Sequence, residues 1–309
     1  MDWPGEVLAS GLGHPEGPCV LPDGRVVFAN TFFGELAVWE AGVGTSTFAF
    51  TGGGPNACTL GSDGFLYVTQ TPKVGTWEAP VPRQPSIQRA SMDGCVETVA
   101  TEIDGRRFNA PNDLTFAADG RLYFTDSGDW DPHRKPHAGV IFALDEDGTG
   151  EVIEELDAVY PNGIAAEPDG SIVWVESYTR RVRRRRPDGV REELLTLPDG
   201  HIPDGLKIAS NGDLWITTVT SGGIDVVTRD GSGRRFVRTG GVPLNIAFGG
   251  TAIYITDMGR FEPTADDVVL DGALRRIEVG VAGMPLFRGR VGLARTAEGT
   301  SDRPRPPDP

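Results

Sequence analysis

Cysteine and histidine are scarce in this chain of 309 residues, with 3 and 4 respectively. Cys19, Cys58 and Cys95 are odd in number and lack metal-ligand spacing. That excludes a disulfide framework and a zinc signature, and they read as buried free thiols of a reducing compartment, so a cytoplasmic location is expected. Long hydrophobic runs are missing, so no membrane-spanning helix is expected. The start, "MDWPGEVLASGLG", has neither a basic n-region nor an apolar h-region, so no secretory signal is expected. Helical periodicity is missing too. Nearly every apolar run ends after four to six residues at Gly, Pro, Asp or Asn. Positive charge is in deficit, with 29 Lys and Arg against 44 Asp and Glu and a net charge of -15. This argues against nucleic acid or an anionic membrane as a partner and is compatible with a cation site. No nucleophile elbow or phosphate loop is present.

What is abundant is punctuation. Gly 42 and Pro 24 beside 8% aromatic residues fit many short strands and turns. One sentence recurs: "HPEGPCVLPDGRVVFAN", "GPNACTLGSDGFLYVTQ", "APNDLTFAADGRLYFTD", "YPNGIAAEPDGSIVWVE", "IPDGLKIASNGDLWITT" and "VPLNIAFGGTAIYITD". The copies open at Pro15, Pro55, Pro111, Pro161, Pro203 and Pro243, which stand 40, 56, 50, 42 and 40 residues apart. In the first five a tight turn ends at Gly24, Gly64, Gly120, Gly170 or Gly212; the sixth substitutes Gly249-Gly250. A β-rich run follows each turn, and two more plausible strands separate the copies. The expected fold is all-β: a six-bladed β-propeller of four-stranded antiparallel blades over residues 1–290. Gly5 to Ser10 is expected to supply the last strand of blade 6 and close the ring. Residues 291–309, polar and Pro-rich, are expected to be a disordered tail. The basic run Arg180 to Arg186 is expected at a solvated outer strand edge, with a polyanion contact as the alternative.

In a propeller the first strand of each blade lines the channel, so the residues after the six prolines should ring one mouth. They are Glu16, Asn56, Asn112, Asn162, Asp204 and Leu244. Asn and Asp after Pro are ordinary turn formers, but turn chemistry does not explain Glu16. Two carboxylates and three carboxamides make a set of hard oxygen donors that suits Ca²⁺ or Mg²⁺, and converging carboxylates without a cation would repel. Fourteen residues further on stand Asn30, Gln70, Asp126, Glu176 and Thr218, with Asp257 equivalent in the sixth copy. These either orient the ligands from behind or are plain strand ends. The long loops that follow carry Trp77, Trp130, His133, His137, Arg260 and Phe261, and are expected to form the pocket rim.

"PEGP", "FNAPND…GRLYFTD", "YPNGIA…DG" and "IPDGLKI…NGDLWIT" together resemble the family of senescence marker protein, gluconolactonase and luciferin-regenerating enzyme, over roughly Pro15 to Arg288. The resemblance implies one divalent metal at the channel mouth, commonly Ca²⁺, with Mg²⁺, Mn²⁺ or Zn²⁺ as alternatives. Its ligands would match Glu16, Asn162 and Asp204. Asn112 matches a residue that is a ligand in some members and a substrate contact in others. It implies a hydrolase opening a lactone, with Asp204 as general base or nucleophile and Asn56, Asn112 and the rim Trp77, Trp130, His133 and His137 meeting substrate. The rim segments "TWEAPVPRQPS" and "GDWDPHRKPHAG" depart from sugar-lactonase members and suit a more apolar lactone or ester. Two other classes stay open: a non-catalytic propeller stabilised by metal, and a metal-free propeller similar to strictosidine synthase.

Overall fold

The computed structural model describes residues 5–74, 77–79, 81, 83–259 and 271–293. Six sheets of four antiparallel strands account for nearly all of it. Blade 1 comprises Pro15–Val20, Val26–Asn30, Glu35–Glu40 and Gly44–Phe50. Blade 2 begins at Gly54–Leu60, blade 3 at Pro111–Phe116, blade 4 at Pro161–Ala166, blade 5 at Pro203–Ile208 and blade 6 at Pro243–Gly249. First strands touch in cyclic order, and blade 6 returns to blade 1, so blades 1 and 4 face each other across the channel. The fourth strand of blade 6 is Glu6–Leu12, paired antiparallel with Gly272–Glu278, as the sequence led one to expect. Among the described residues no helix is long and apolar enough to cross a membrane.

The repeat's turn chemistry explains the meander. At the far end of each blade the closing glycine has positive φ, as at Gly24 (φ 90) and Gly120 (φ 84), a region other residues avoid. Alternate residues of each strand then face the two neighbouring blades. The core is accordingly a set of inter-blade clusters. Val27, Leu36, Leu66 and Val68 fill the space between blades 1 and 2, and Val175, Val182, Leu206 and Ile216 that between blades 4 and 5. At the far end, residues 281–293 cross from blade 5, where Ser210 N donates to Ala282 O at 2.8 Å, to blade 2, where Ser62 N donates to Gly289 O at 2.7 Å.

Two expectations need correction. Arg181–Arg185 is the third strand of blade 4, flanked by Ile172–Glu176 and Arg191–Thr196, so it is not a free edge. Val182 and Arg184 point inward and are buried. Its charges are paired: Arg184 Nε lies 2.7 Å from Glu167, Arg185 Nε 2.9 Å from Glu154 and Arg183 Nη1 3.0 Å from Glu193. Cys19 and Cys58 are buried free thiols, but Cys95 is exposed in the Ser91–Cys95 turn. Of the tail expected at 291–309, residues 294–309 lie outside the described residues, as do Arg260 and Phe261, whereas Val291 is buried and its N donates to Tyr67 Oη at 2.7 Å.

Candidate functional site at the channel mouth

Each opening proline pairs with the residue that stands fifteen positions later in blades 1 to 5, and a β-bulge follows it in every blade. A bulge re-aims the side chains beside it. The bulge thereby presents the post-proline residue to the channel. Glu16, Asn56 and Asn162 are buried there, while Asn112 and Asp204 are partly exposed. Glu16 Oε2 accepts from Gly17 N at 2.8 Å. Burial raises the Glu16 carboxyl well above the usual range, and the charge of Asp204 adds to this. Burial pushes Asp204 up to about 8, the Asn162 amide opposing and the charge of Asp113 adding. Desolvation and like charge both favour the protonated forms.

The sixth member is not Leu244. Leu244 is buried and its carbonyl accepts from Thr217 Oγ1. The bulge of blade 6 brings up Asn245 instead, whose Nδ2 lies 3.3 Å from Asp113 Oδ2 and whose amide favours the ionised form of Glu16. Gly205 makes room for it: a Cβ there would stand 2.3 Å from Asn245 Oδ1. Lys207 Nζ sits 3.3 Å from Asp113 Oδ2, so the channel holds a neutralised carboxylate beside two un-neutralised ones.

Two amide oxygens are orphaned. Asn162 Nδ2 donates to Ser177 Oγ at 3.2 Å. The Oδ1 atoms of Asn112 and Asn162 are buried without a hydrogen-bond partner. Buried acceptors are rarely left so. Among the described residues no group of three or more His, Cys, Asp and Glu is gathered as a metal cluster. Any cation here must therefore use amide oxygens with the two carboxylates, the donor type that hard divalent ions take.

The residues behind the ring act one step further back than the sequence suggested. Asp126 accepts from Asn109 N at 2.7 Å and Ala110 N at 2.6 Å, Asn30 from Gly13 N at 2.8 Å, and Asp257 from Val242 N at 2.8 Å. They pin the backbone leading into the prolines. Hydroxyls one position to either side stitch blade to blade: Thr125 donates to Asn162 O at 2.9 Å, Ser177 to Pro203 O at 2.7 Å and Thr31 to Pro55 O at 2.8 Å.

Above the ring stand two aromatic groups. Trp130 packs edge-on against Tyr160 (4.8 Å between centroids) and against Tyr178 (5.0 Å). Trp77 packs on Phe32 (5.3 Å), which packs on His14 (5.1 Å). The loops carrying Trp77 and Trp130 are linked by Lys73 and Asp129 at 3.5 Å. His137 packs on Gly128, and His133 is exposed, its backbone tied to Asp131 Oδ1 at 3.1 Å. Sequence reasoning passed over His14 and Tyr160, the residues just before Pro15 and Pro161. Both have φ 56, a left-handed backbone that costs a non-glycine residue about 1–2 kcal/mol. Burial pushes the His14 imidazole down to about 4, and its Nδ1 is buried without a partner.

A six-bladed propeller with an oxygen-lined mouth is the class that fold and site define. The family model of the SMP-30/gluconolactonase/LRE-like region matches residues 14–259, and the chain belongs to that family. Among its relatives are a gluconolactonase of Zymomonas mobilis, 27% identical over 267 residues (75% of this chain, 71% of that one), and the pentonolactonase XacC of Haloferax volcanii, 31% identical over 177 residues (50% and 59%). Protein STRICTOSIDINE SYNTHASE-LIKE 6 of Arabidopsis thaliana is 30% identical over 179 residues, 54% of this chain and 44% of that one. Regucalcin of Agrobacterium tumefaciens, described as a calcium-binding protein, superposes with a TM-score of 0.77 at 18% identity, covering 94% of this chain and 99% of the other.

Proposed function

We propose that this protein is a divalent-cation-dependent hydrolase that opens a lactone of apolar character. The observation that carries the reading is the convergence of buried Glu16 and partly exposed Asp204, carboxylates with raised affinity for protons, on two orphaned amide oxygens of Asn112 and Asn162. Those four residues would hold the cation, Ca²⁺ in this reading. Bound there, a divalent ion supplies Lewis acidity toward an ester carbonyl. Asp204, partly open to the mouth, takes the proton of the attacking water or attacks the carbonyl itself. Asn56, whose Nδ2 donates to Asn112 O at 3.1 Å, fixes the backbone beside the substrate. The two aromatic groups favour an alkyl- or aryl-substituted lactone over a polyhydroxylated one. Buried free Cys19 and Cys58 support a reducing, cytoplasmic setting.

The match to a strictosidine-synthase-like protein favours a second reading, a propeller that works without metal. The two unpaired carboxylates oppose it. Hydrolysis of alkyl lactones, gluconolactone, aryl esters and phosphotriesters, with Ca²⁺, Mg²⁺, Mn²⁺ or Zn²⁺ and with chelator, separates them. Lactone turnover abolished by chelation and restored by one ion supports the proposal. Absence of turnover in every combination, with no metal in the purified protein, overturns it.

A further inference from the structure

We propose that Lys207 is a built-in cation of the channel, a positioning residue that keeps Asp113 out of the ligand set and sets how tightly the mouth takes its divalent ion. The inference rests on the cation reading above.

Charge and geometry carry it together. The six first strands hold three acids, Glu16, Asp113 and Asp204, and one base, Lys207. Three negative charges and one positive leave two negative, the charge that one divalent ion cancels. Lys207 Nζ donates to Asp113 Oδ2 at 3.3 Å, and Asn245 Nδ2 donates to the same oxygen at 3.3 Å. Asp113 Oδ1 accepts from Leu114 N at 2.8 Å. Asp113 is buried, and the Lys207 side chain is 16% exposed. Blades 3 and 6 lie opposite each other in the cyclic order. The Asp113–Asn245 bond therefore spans the channel one residue beyond Asn112, and blade 5 sends in the lysine from the side. The other blades leave that level to them: two residues after their prolines stand Gly17, Ala57, Gly163 and Gly205. A Cβ on Gly163 would stand 2.5 Å from Asp204 O, so the strands are packed closely there. The blade repeat does not require a lysine, because the positions equivalent to Lys207 are Cys19, Thr59, Thr115, Ala165 and Ala247, all uncharged. An ammonium at this depth repels a divalent ion at the mouth. It also occupies a carboxylate oxygen that such an ion would otherwise take.

The test is a series of charge variants titrated with Ca²⁺ by calorimetry at fixed pH, with melting temperature in EDTA as the folding control. Lys207→Met keeps the stem and removes the charge. It should bind Ca²⁺ about tenfold or more tightly than the wild type, or take a second ion on Asp113. Asp113→Asn leaves the ammonium uncompensated and should bind Ca²⁺ about tenfold or more weakly. The double variant restores the net charge, so its affinity should return to within about threefold of the wild type. A merely structural lysine gives another pattern: each variant loosens the site and the double variant is weakest. Lys207→Met with an affinity equal to or below that of the wild type, and no second ion, overturns the proposal. If Lys207→Met does not fold, the other two variants decide, and a double variant as weak as Asp113→Asn overturns it. If the wild type binds none of Ca²⁺, Mg²⁺, Mn²⁺ and Zn²⁺ while Lys207→Met binds one, the cation reading of the native mouth falls and the role of Lys207 stands. If neither binds an ion, both fall.

Discussion

The channel mouth and the outer half of blade 4 are both crowded with charge, and they treat it in opposite ways. In blade 4 and at its border with blade 3 the buried acids have partners: Glu167 takes Arg184 at 2.7 Å and Arg229 at 2.8 Å, while Glu154 of blade 3 takes Arg185 at 2.9 Å. At the mouth Glu16 and Asp204 face each other with amides for company, and the lysine in the channel is engaged by Asp113. Removing carboxylates from water is costly unless they are paired. A fold that pairs its acids carefully in one place and leaves two bare in another marks where a charge from outside is meant to arrive. Charge density alone would have ranked the arginine run first.

The contrast is broken most sharply at Asp204. Asp204→Asn keeps shape and one oxygen donor but removes the proton acceptor. Its kcat is expected to fall about 10²- to 10⁴-fold and to stay low at saturating cation. Glu16→Gln removes the same charge from a residue assigned only to holding the ion, so excess cation should restore part of its activity. Equal rescue of both variants, measured as kcat against Ca²⁺ concentration, would reduce Asp204 to a ligand.

In blade 4 the same kind of change should act on stability and leave catalysis alone. Arg184→Met leaves buried Glu167 with Arg229 alone, so the loss should fall below the about 3–5 kcal/mol of a fully broken buried pair. Denaturant unfolding should show it, while kcat of the folded fraction is unchanged. A drop in kcat without a drop in stability would mean that blade 4 belongs to the site.

How much of this was legible in sequence follows from what a repeat records. Pro15 to Pro243 and their turns are local chemistry copied six times, so blade count, ring closure by Glu6–Leu12 and the positions of Glu16, Asn112, Asn162 and Asp204 could be read directly. The bulge after each proline is not written in residue types, so Asn245 was hidden behind Leu244. Positive φ at His14 and Tyr160 leaves no mark in composition, and no repeat points to a residue that differs in every copy. The cross-blade hydroxyls of Thr125 and Ser177 were overlooked because the fourteen-residue spacing drew attention to their neighbour. The burial of Arg184 depends on Glu167, which lies in the turn after the first strand of the blade and is not found by scanning a run of like charge.

Proton and cation should compete at the mouth but not in blade 4. Glu16 and Asp204 have raised affinity for protons in the fold, Asp204 up to about 8. Without cation the folded state therefore holds more protons than the unfolded state above the ordinary carboxylate pKa of about 4. By linkage, stability of the chelated protein is fullest below that pH and is lost as pH rises toward 8. A cation bound to the folded state alone returns RT ln(1 + [L]/Kd), about 2.7 kcal/mol at a hundredfold excess over Kd, and more of it as the protons leave. Melting temperatures with EDTA and with Ca²⁺ should thus diverge between pH 5 and pH 8. Parallel curves would show that the carboxylates are not the cation's ligands.

The smallest expected effect lies on the aromatic walls, and it tests whether the mouth's second layer selects what its first layer transforms. Trp130 leans on Tyr160 and Tyr178, and Trp77 on Phe32, so each ring is held by aromatic neighbours. An aromatic face contributes about 0.5–1.5 kcal/mol beyond its buried area. Trp77→Ala should therefore raise KM for an apolar lactone several-fold, with kcat and Ca²⁺ affinity nearly constant, the signature of lost uniform binding. Trp130→Ala should do the same. His133→Ala, at an exposed residue tied only through its backbone to Asp131, should change neither parameter. His137→Ala, packed on Gly128, should shift the preference among substrates more than the rate on any one. A panel running from short-chain to aryl lactones reads all four. If Trp77→Ala and Trp130→Ala preserve the wild-type order of preference, the walls do not select, and specificity has to come from the oxygen ring itself.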